Sequence, residues 1–139
     1  MGLLSRIGAR TPGSSTQINA IIDELNARYG SAQYAQPTAQ AMTNGSYVTL
    51  DGWAADFTDT IGGTLSSGVY TFPSAMTVEI TAAVCFVNGA GRYVVQTYIN
   101  GTQYRGAQQS MGTSSSFQSV TIPSFEHAFA AADTLDFRA

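Results

Sequence analysis

The residues that could perform chemistry are few and scattered along the chain. There is one histidine, His127, one cysteine, Cys85, and nine acidic residues. A metal site needs several His, Cys, Asp or Glu ligands at a suitable spacing. Three acids lie close in sequence, Asp51, Asp56 and Asp59, but their spacing matches no calcium loop, so we expect solvated turn residues. The sequence predicts no metal site and no cofactor.

The sequence also lacks the set of residues that nucleophilic catalysis requires. A Ser or Cys nucleophile needs a base and an orienting group, and the one candidate base, His127, follows Glu126 on an extended segment, where neighbours point to opposite faces. Cys85 lies in an alternating strand pattern, which predicts a buried or half-buried thiol. The glycine-rich residues 89–92, GAGR, join two predicted strands and do not open a helix, which excludes a phosphate loop. We expect a protein that is not an enzyme.

Binding has better candidates than catalysis. Residues 105–116, RGAQQSMGTSSS, are predicted as a loop that carries an arginine and amide side chains, between strands that carry tyrosines. Aromatic rings pack on the apolar patches of sugars, and amides supply directional hydrogen bonds. The alternative is an ordinary polar loop. The candidate ligand-binding residues are Tyr98, Tyr104, Arg105, Gln108 and Gln109.

The charge pattern excludes other classes of partner. Charged residues make up 11% of the chain, the net charge is −3, and all six basic residues are scattered arginines. Phosphate binding needs clustered basic residues, so we expect no nucleic acid. No apolar run approaches the ~20 residues of a membrane span, so we expect no membrane insertion. A surface of uncharged polar groups gives little long-range repulsion, which favours assembly.

The N-terminal part predicts an apolar arm followed by one amphipathic helix. The arm is either a frayed terminus or a docking segment. The helix covers residues 14–30, SSTQINAIIDELNARYG, with an apolar stripe at i, i+3, i+4 and i+7. A helix this short is marginal alone, so the stripe packs on the β domain, on other copies or on a larger particle. The candidate docking or trimerisation residues are Leu3, Leu4, Ile7, Ile18, Ile21, Ile22 and Leu25.

The rest of the chain predicts a linker and a β domain. Residues 31–46 are predicted as an extended linker, and residues 47–139 as a sandwich or jelly roll of seven or eight short strands with turn signals between them. Thr77–Val87 alternates most clearly, with the residues from Val78 to Phe86 at even positions facing the core. The predicted strands are Tyr47–Leu50, Trp53–Phe57, Val69–Phe72, Thr77–Val87, Arg92–Asn100, Thr102–Ala107, Phe117–Ile122 and Leu135–Arg138.

Several short motifs resemble one family of β domains. They are Gly52–Trp53 followed by Asp56, then GVYTFPSAMTVEI at 68–80, YING at 98–101 and AADTLDF at 131–137. In this order they resemble the trimeric jelly roll of tumour necrosis factor and complement globular heads, and more narrowly the short versions in bacteriophage fibres and head-decoration proteins. The chain departs from the family at Met76, Val78 and Ala132. It also stops where many relatives have one more strand, so we expect the N-terminal region or a neighbouring subunit to cover that edge.

The resemblance implies a function without catalysis. It implies a homotrimeric phage structural protein on the virion, such as a head fibre or decoration protein, made in the host cytoplasm. Residues 1–30 would attach it to the major capsid protein or another virion protein, and the jelly-roll head of residues 47–139 would be displayed outward. The alternative is a tail-spike or adhesin module that binds a host-surface glycan.

Overall fold

The computed structural model describes residues 30–36, 38–42, 45–87, 91–111 and 117–139. The described part is mainly β and contains no helix, which confirms the predicted fold class at this level. The predicted arm and helix, with the seven aliphatic residues proposed for docking, lie outside the described residues. The described residues fall into two compact units, 30–35 with 54–62 and 36–53 with 63–139.

The smaller unit is held by one short strand pair and its side chains. Strand β1, Tyr34–Ala35, pairs antiparallel with β2, Ala54–Ala55. The Tyr34 hydroxyl donates a hydrogen bond of 2.8 Å to Asp59 Oδ2. Burial, together with this bond to a carboxylate, raises the pKa of Tyr34 to about 12. The tyrosine therefore stays protonated and keeps its bond across the ordinary pH range.

The larger unit contains two antiparallel sheets. The first has five strands in the order β3-β4-β9-β6-β7, and the second has two, β5 and β8. The second sheet joins the two longest strands, of 12 and 13 residues. The strands are β3 Thr64–Ser66, β4 Val69–Thr71, β5 Met76–Val87, β6 Gly91–Ile99, β7 Thr102–Met111, β8 Phe117–Phe129 and β9 Thr134–Arg138.

The two sheets pack as a sandwich around an aliphatic and aromatic core. β5 alternates as predicted, with its even-numbered residues turned inward and Ile80 and Phe86 buried. Val95 and Ile122 face them from the two sheets with no exposed surface. Burying such side chains is worth about 1.5–3 kcal/mol each, which makes this interface the main source of stability. The buried apolar residues are Leu50, Tyr70, Phe72, Ile80, Phe86, Val95, Ile99, Val120, Ile122, Phe125 and Phe129.

One long antiparallel ribbon links the two sheets. β4 pairs with β9 in the first sheet, and β5, the next strand after β4, pairs with β8 in the second. The ribbon bends between the sheets at residues 72–75 and 130–133, so Pro73 lies at the corner where no ladder N–H is needed. Across the bend Phe72 N–H donates to Asp133 C=O at 2.9 Å, and Ala132 N–H donates to Phe72 C=O at 2.9 Å. The corner therefore keeps its main-chain pairing.

Side chains brace the inner turn of this corner. Asp133 accepts from the Ala130 N–H at 2.7 Å and from the Asn100 side chain at 2.8 Å. Asn100 in turn accepts from the Thr134 N–H at 2.8 Å. The Ala130 bond first, and the Asn100 bond second, hold the pKa of Asp133 below its ordinary value of 3.8. The ionised carboxylate thus connects the corner to the turn that ends β6.

Three predicted segments that precede β8 differ from the structure. Tyr47–Leu50 makes only one bridge, between Thr49 and Arg138. Trp53–Phe57 contributes only the two residues of β2. Both segments are short because Gly52, with a φ of 74°, turns the chain between them. The predicted loop after Ala107 continues as strand to Met111, because the ladder with β6 supplies its backbone partners. Among the described strands β7 pairs only with β6, and such an edge strand tolerates polar residues.

The predicted end of a strand at Ile122 is also wrong. β8 continues through Pro123 to Phe129, so His127 lies on a strand and not in a loop. The register passes from Ile80–Phe125 to Ala82–Ile122, which leaves an extra residue on β8. This bulge accommodates Pro123, because a bulge is one of the few places where a strand tolerates proline.

The predicted linker contributes contacts of its own. The Gln40 side chain donates to Thr49 C=O at 3.0 Å and accepts from the Asp51 N–H at 2.8 Å. Gln36 Nε2 donates to Asp51 C=O. Residues 36 and 40 are thus tied to the segment around Thr49, whose neighbours Val48 and Leu50 bond to the end of β9.

Ala132 provides a test of strain at the corner. Its φ of 68° is in the left-handed region, where an alanine costs about 1–2 kcal/mol. We expect Ala132→Gly to raise the free energy of unfolding by up to about 1 kcal/mol, since the relief of strain exceeds the entropy cost of glycine. Urea denaturation measures this. The matched control Ala130→Gly carries no positive φ and should lower stability, and equal effects of the two changes would contradict the assignment.

Asp133 provides a test by pH. Because its pKa is lowered by folding, its contribution is present above the ordinary aspartate pKa and is lost as the pH falls through the lowered value. We expect Asp133→Asn to be less stable than the wild type near neutral pH, and the two urea midpoints to converge as the pH falls through the lowered pKa of Asp133. Asp56→Asn is the control for the loss of one exposed carboxylate. A constant difference between Asp133→Asn and the wild type at all pH values would refute the assignment.

Candidate functional site

Two of the predicted ligand-binding residues, Tyr104 and Arg105, meet at a bulge in β7. Thr97 pairs with Arg105 and Tyr98 with Gln103, so Tyr104 is an extra residue on this strand. A bulge redirects the side chains beside it. Here it turns both side chains toward β8, while Tyr104 keeps 43% of its surface exposed.

Tyr104 begins a row of rings that runs to the corner of the ribbon. Its ring centroid lies 5.4 Å from Phe125 and 5.0 Å from His127. His127 lies 4.6 Å from Phe129, which stacks on Phe72 at 3.9 Å. Edge-to-face and stacked pairs of this kind stabilise by about 0.5–1.5 kcal/mol beyond burial. The row therefore fixes Tyr104, and it uses His127 as a packed ring on the inner side of β8.

Arg105 is held against this row without an acidic partner. Its guanidinium carbon lies 5.0 Å from the Phe125 ring centroid and 5.7 Å from that of Tyr104. Among the described residues no carboxylate forms an ion pair with it, and its side chain is exposed. A guanidinium stacked on rings keeps its edge donors free for a carboxylate or another planar acceptor. Arg105 is thus a fixed cation at the edge of the sandwich.

Tyr98 belongs to a different cluster. Its neighbour across the ladder is Asp136, and the Arg138 guanidinium lies over its ring at 3.7 Å. Arg138 Nε donates to Asp136 Oδ2 at 2.6 Å, and this bond raises the pKa of Arg138. Asp136 is only 3% exposed, so the arginine compensates a buried carboxylate. We assign Tyr98 to this structural ion pair, away from Tyr104.

The two glutamines do not join the bulge either. Gln108 and Gln109 are exposed residues of β7, paired with Val94 and Tyr93. As neighbours on a strand they point to opposite faces of the sheet. The five predicted residues therefore do not form one site, and only Tyr104 and Arg105 lie together.

The sequence reasoning missed a surface on the two-stranded sheet, which we call the outer face. The odd-numbered residues of β5 from Thr77 to Val87 are all exposed, as are six residues of β8. The β8 members of the outer face are Ser119, Thr121, Pro123, Ser124, Glu126 and Ala128. The prediction that Cys85 is buried or half-buried is wrong, because it lies on this face and is exposed. The alternation of β5 was the available signal, since it already placed Glu79 and Cys85 together.

Two glutamates are the only charges on the described outer face. Glu79 and Glu126 are directly opposite each other in the β5–β8 register. Ser124 Oγ donates a hydrogen bond to Glu79 Oε1, and no described basic residue forms an ion pair with either glutamate. Like charges directly opposite on a sheet are destabilising. The pair thus marks a place where a cation would be favoured.

A cavity of about 990 Å³ in the larger unit is lined in part by Cys85 and Val87 of the outer face. Its lining includes Gln36, Gln40, Phe86 and Tyr93. The amides of both glutamines are engaged with main-chain groups or with each other. A small-molecule site needs a few convergent polar groups that are free to orient the ligand. We therefore give this cavity no role in binding.

Metal ligands, membrane-spanning helices and comparisons with known proteins do not indicate a function for this chain. No group of three or more potential metal ligands occurs in the part of the chain that the structure describes. Within the same part, no helix has the length and hydropathy to span a membrane. Compared with protein-family models and with curated proteins, the chain matches none. The outer face and the Tyr104–Arg105 bulge are thus the features on which a function must be argued.

Proposed function

We propose that this protein is a structural component of a phage virion surface, a homotrimeric head-fibre or decoration protein whose N-terminal segment binds the major capsid protein or another virion protein. Its β domain is displayed outward, and the chain is made in the host cytoplasm. One observation carries the proposal, which is the unprotected β5–β8 layer. Such a layer is suited to assembly with other copies.

The layer is unprotected at both edges. Among the described strands, β5 pairs only with β8 and β8 only with β5, over 12 and 13 residues. Long free edges invite pairing or contact with other chains, and natural proteins usually blunt them with lysine or other charges. This chain has no lysine. Covering these edges by assembly is the simplest way to manage them.

The outer face has a composition suited to contact. It consists of small, apolar or uncharged polar side chains apart from its two glutamates, and Val87 keeps 48% of its surface exposed. A two-stranded layer is marginal without further packing. A partner laid against this face would bury both strands on both sides, as in the interior of a sandwich.

The wrapping of the ribbon supports the jelly-roll assignment. The strands before the β6–β7 hairpin pair with those after it, β5 with β8 and β4 with β9. A jelly roll arises when one long antiparallel ribbon bends in this way between two sheets. The trimeric family that the sequence resembles uses this fold, so the topology is consistent with the proposed homotrimer.

The second candidate function is binding of a host-surface glycan, as in a tail-spike or adhesin module. The observation that favours it is the exposed Tyr104 ring beside Arg105, which forms no ion pair among the described residues. This pair would suit an acidic sugar, because the ring packs on the sugar and the guanidinium binds its carboxylate.

The mass of the full-length protein in solution tests the first proposal. We expect sedimentation equilibrium to give three times the 14.6 kDa mass of one chain, without turnover of any polysaccharide. A monomer at every concentration would contradict the proposal. A monomer that bound purified host polysaccharide would support the adhesin function instead.

A further inference from the structure

We propose that Arg105 of one copy binds between Glu79 and Glu126 on the outer face of the next copy. The inference rests on the proposed homotrimer and deepens it, because it names the contact that joins the copies. The partner is a second copy of this chain, chosen by charge complementarity between two sites that each lack a counter-ion among the described residues.

The acceptor is the glutamate pair. Because Glu79 and Glu126 face each other across two paired strands, their carboxylates repel unless a cation lies between them. The hydrogen bond from Ser124 orients Glu79 without neutralising it. The described residues of the surrounding outer face carry no other charge, so none of them neutralises the glutamate pair.

The donor is Arg105. Contact with the Phe125 and Tyr104 rings holds its guanidinium near the sandwich edge before any partner arrives, which reduces the entropy that binding would cost. Its fork of N–H groups can bridge two carboxylates. Arg138 is already committed to Asp136, and Arg92, although exposed, makes no described ring contact, so Arg105 is the better preorganised donor.

The two sites lie on opposite sides of β8, and no ion pair joins them among the described residues. Arg105 contacts Phe125, whose side chain is buried on the inner side of β8, whereas Glu126 points to the outer side of the same strand. Neighbouring residues on a strand project to opposite faces. We therefore place the edge of one copy against the face of the next, a heterologous contact that closes as a ring around a three-fold axis. In a ring of three, every Arg105 has one glutamate pair.

Charge reversal tests the contact. We expect Arg105→Glu to raise the concentration needed for assembly by about tenfold or more, and Glu126→Arg to do the same. Glu126 is exposed and makes no described side-chain contact, so its variant tests assembly even if Arg105→Glu folds poorly. The triple variant Arg105→Glu, Glu79→Arg, Glu126→Arg should restore the trimer. The matched control Arg92→Glu should keep the wild-type assembly.

The outcomes separate the two proposals. A monomeric wild type would overturn both the homotrimer and the contact. A trimeric wild type with trimeric Arg105→Glu and Glu126→Arg would leave the homotrimer and overturn the contact. The contact is also overturned if the triple variant stays dissociated. Trimeric Arg105→Glu that loses binding to an acidic polysaccharide would assign Arg105 to a glycan site instead.

Discussion

The structure depends on the main-chain clamp at the corner of its ribbon. Phe72 exchanges hydrogen bonds with the turn that contains Ala132 and Asp133, so the β4–β9 pairing passes into the β5–β8 pairing without a break. The stacked Phe72 and Phe129 rings fill the inside of the bend. Because the ribbon turns here, one end of it lies in the five-stranded sheet and the other forms the opposite layer. Without this bend there would be no sandwich.

The bend also leaves two layers with different numbers of strands, five in one and two in the other. Both proposals rest on this difference. The five-stranded sheet gives β9 a neighbour on each side, whereas β5 and β8 have only each other among the described strands. Their outer face therefore stays exposed, with Glu79 and Glu126 opposed on it. The β7 bulge presents Arg105 at the edge of the sandwich. A cation and an acidic pair that each lack a counter-ion in the described part of the chain are complementary surfaces for like copies.

Much of the fold followed from local pattern, and the site did not. Alternation identified the inward residues of β5, because the alternation of a strand is local. The extension of β7 to Met111 and of β8 past Pro123 depended on partner strands that sequence does not reveal. Cys85 was misjudged for a related reason, since alternation shows which residues share a face and not whether that face is covered. Tyr98 and Tyr104 belong to different clusters because of a bulge in β7, which no residue type in the sequence predicts.

The exposed thiol of Cys85 gives the most direct test of the central claim that copies cover the outer face. It is the only cysteine of the chain and lies on that face with Glu79. The account predicts that its reaction with a thiol reagent slows as the protein concentration is raised through assembly, while Glu126→Arg reacts rapidly throughout. A wild-type rate that is independent of concentration and equal to that of Glu126→Arg would contradict it.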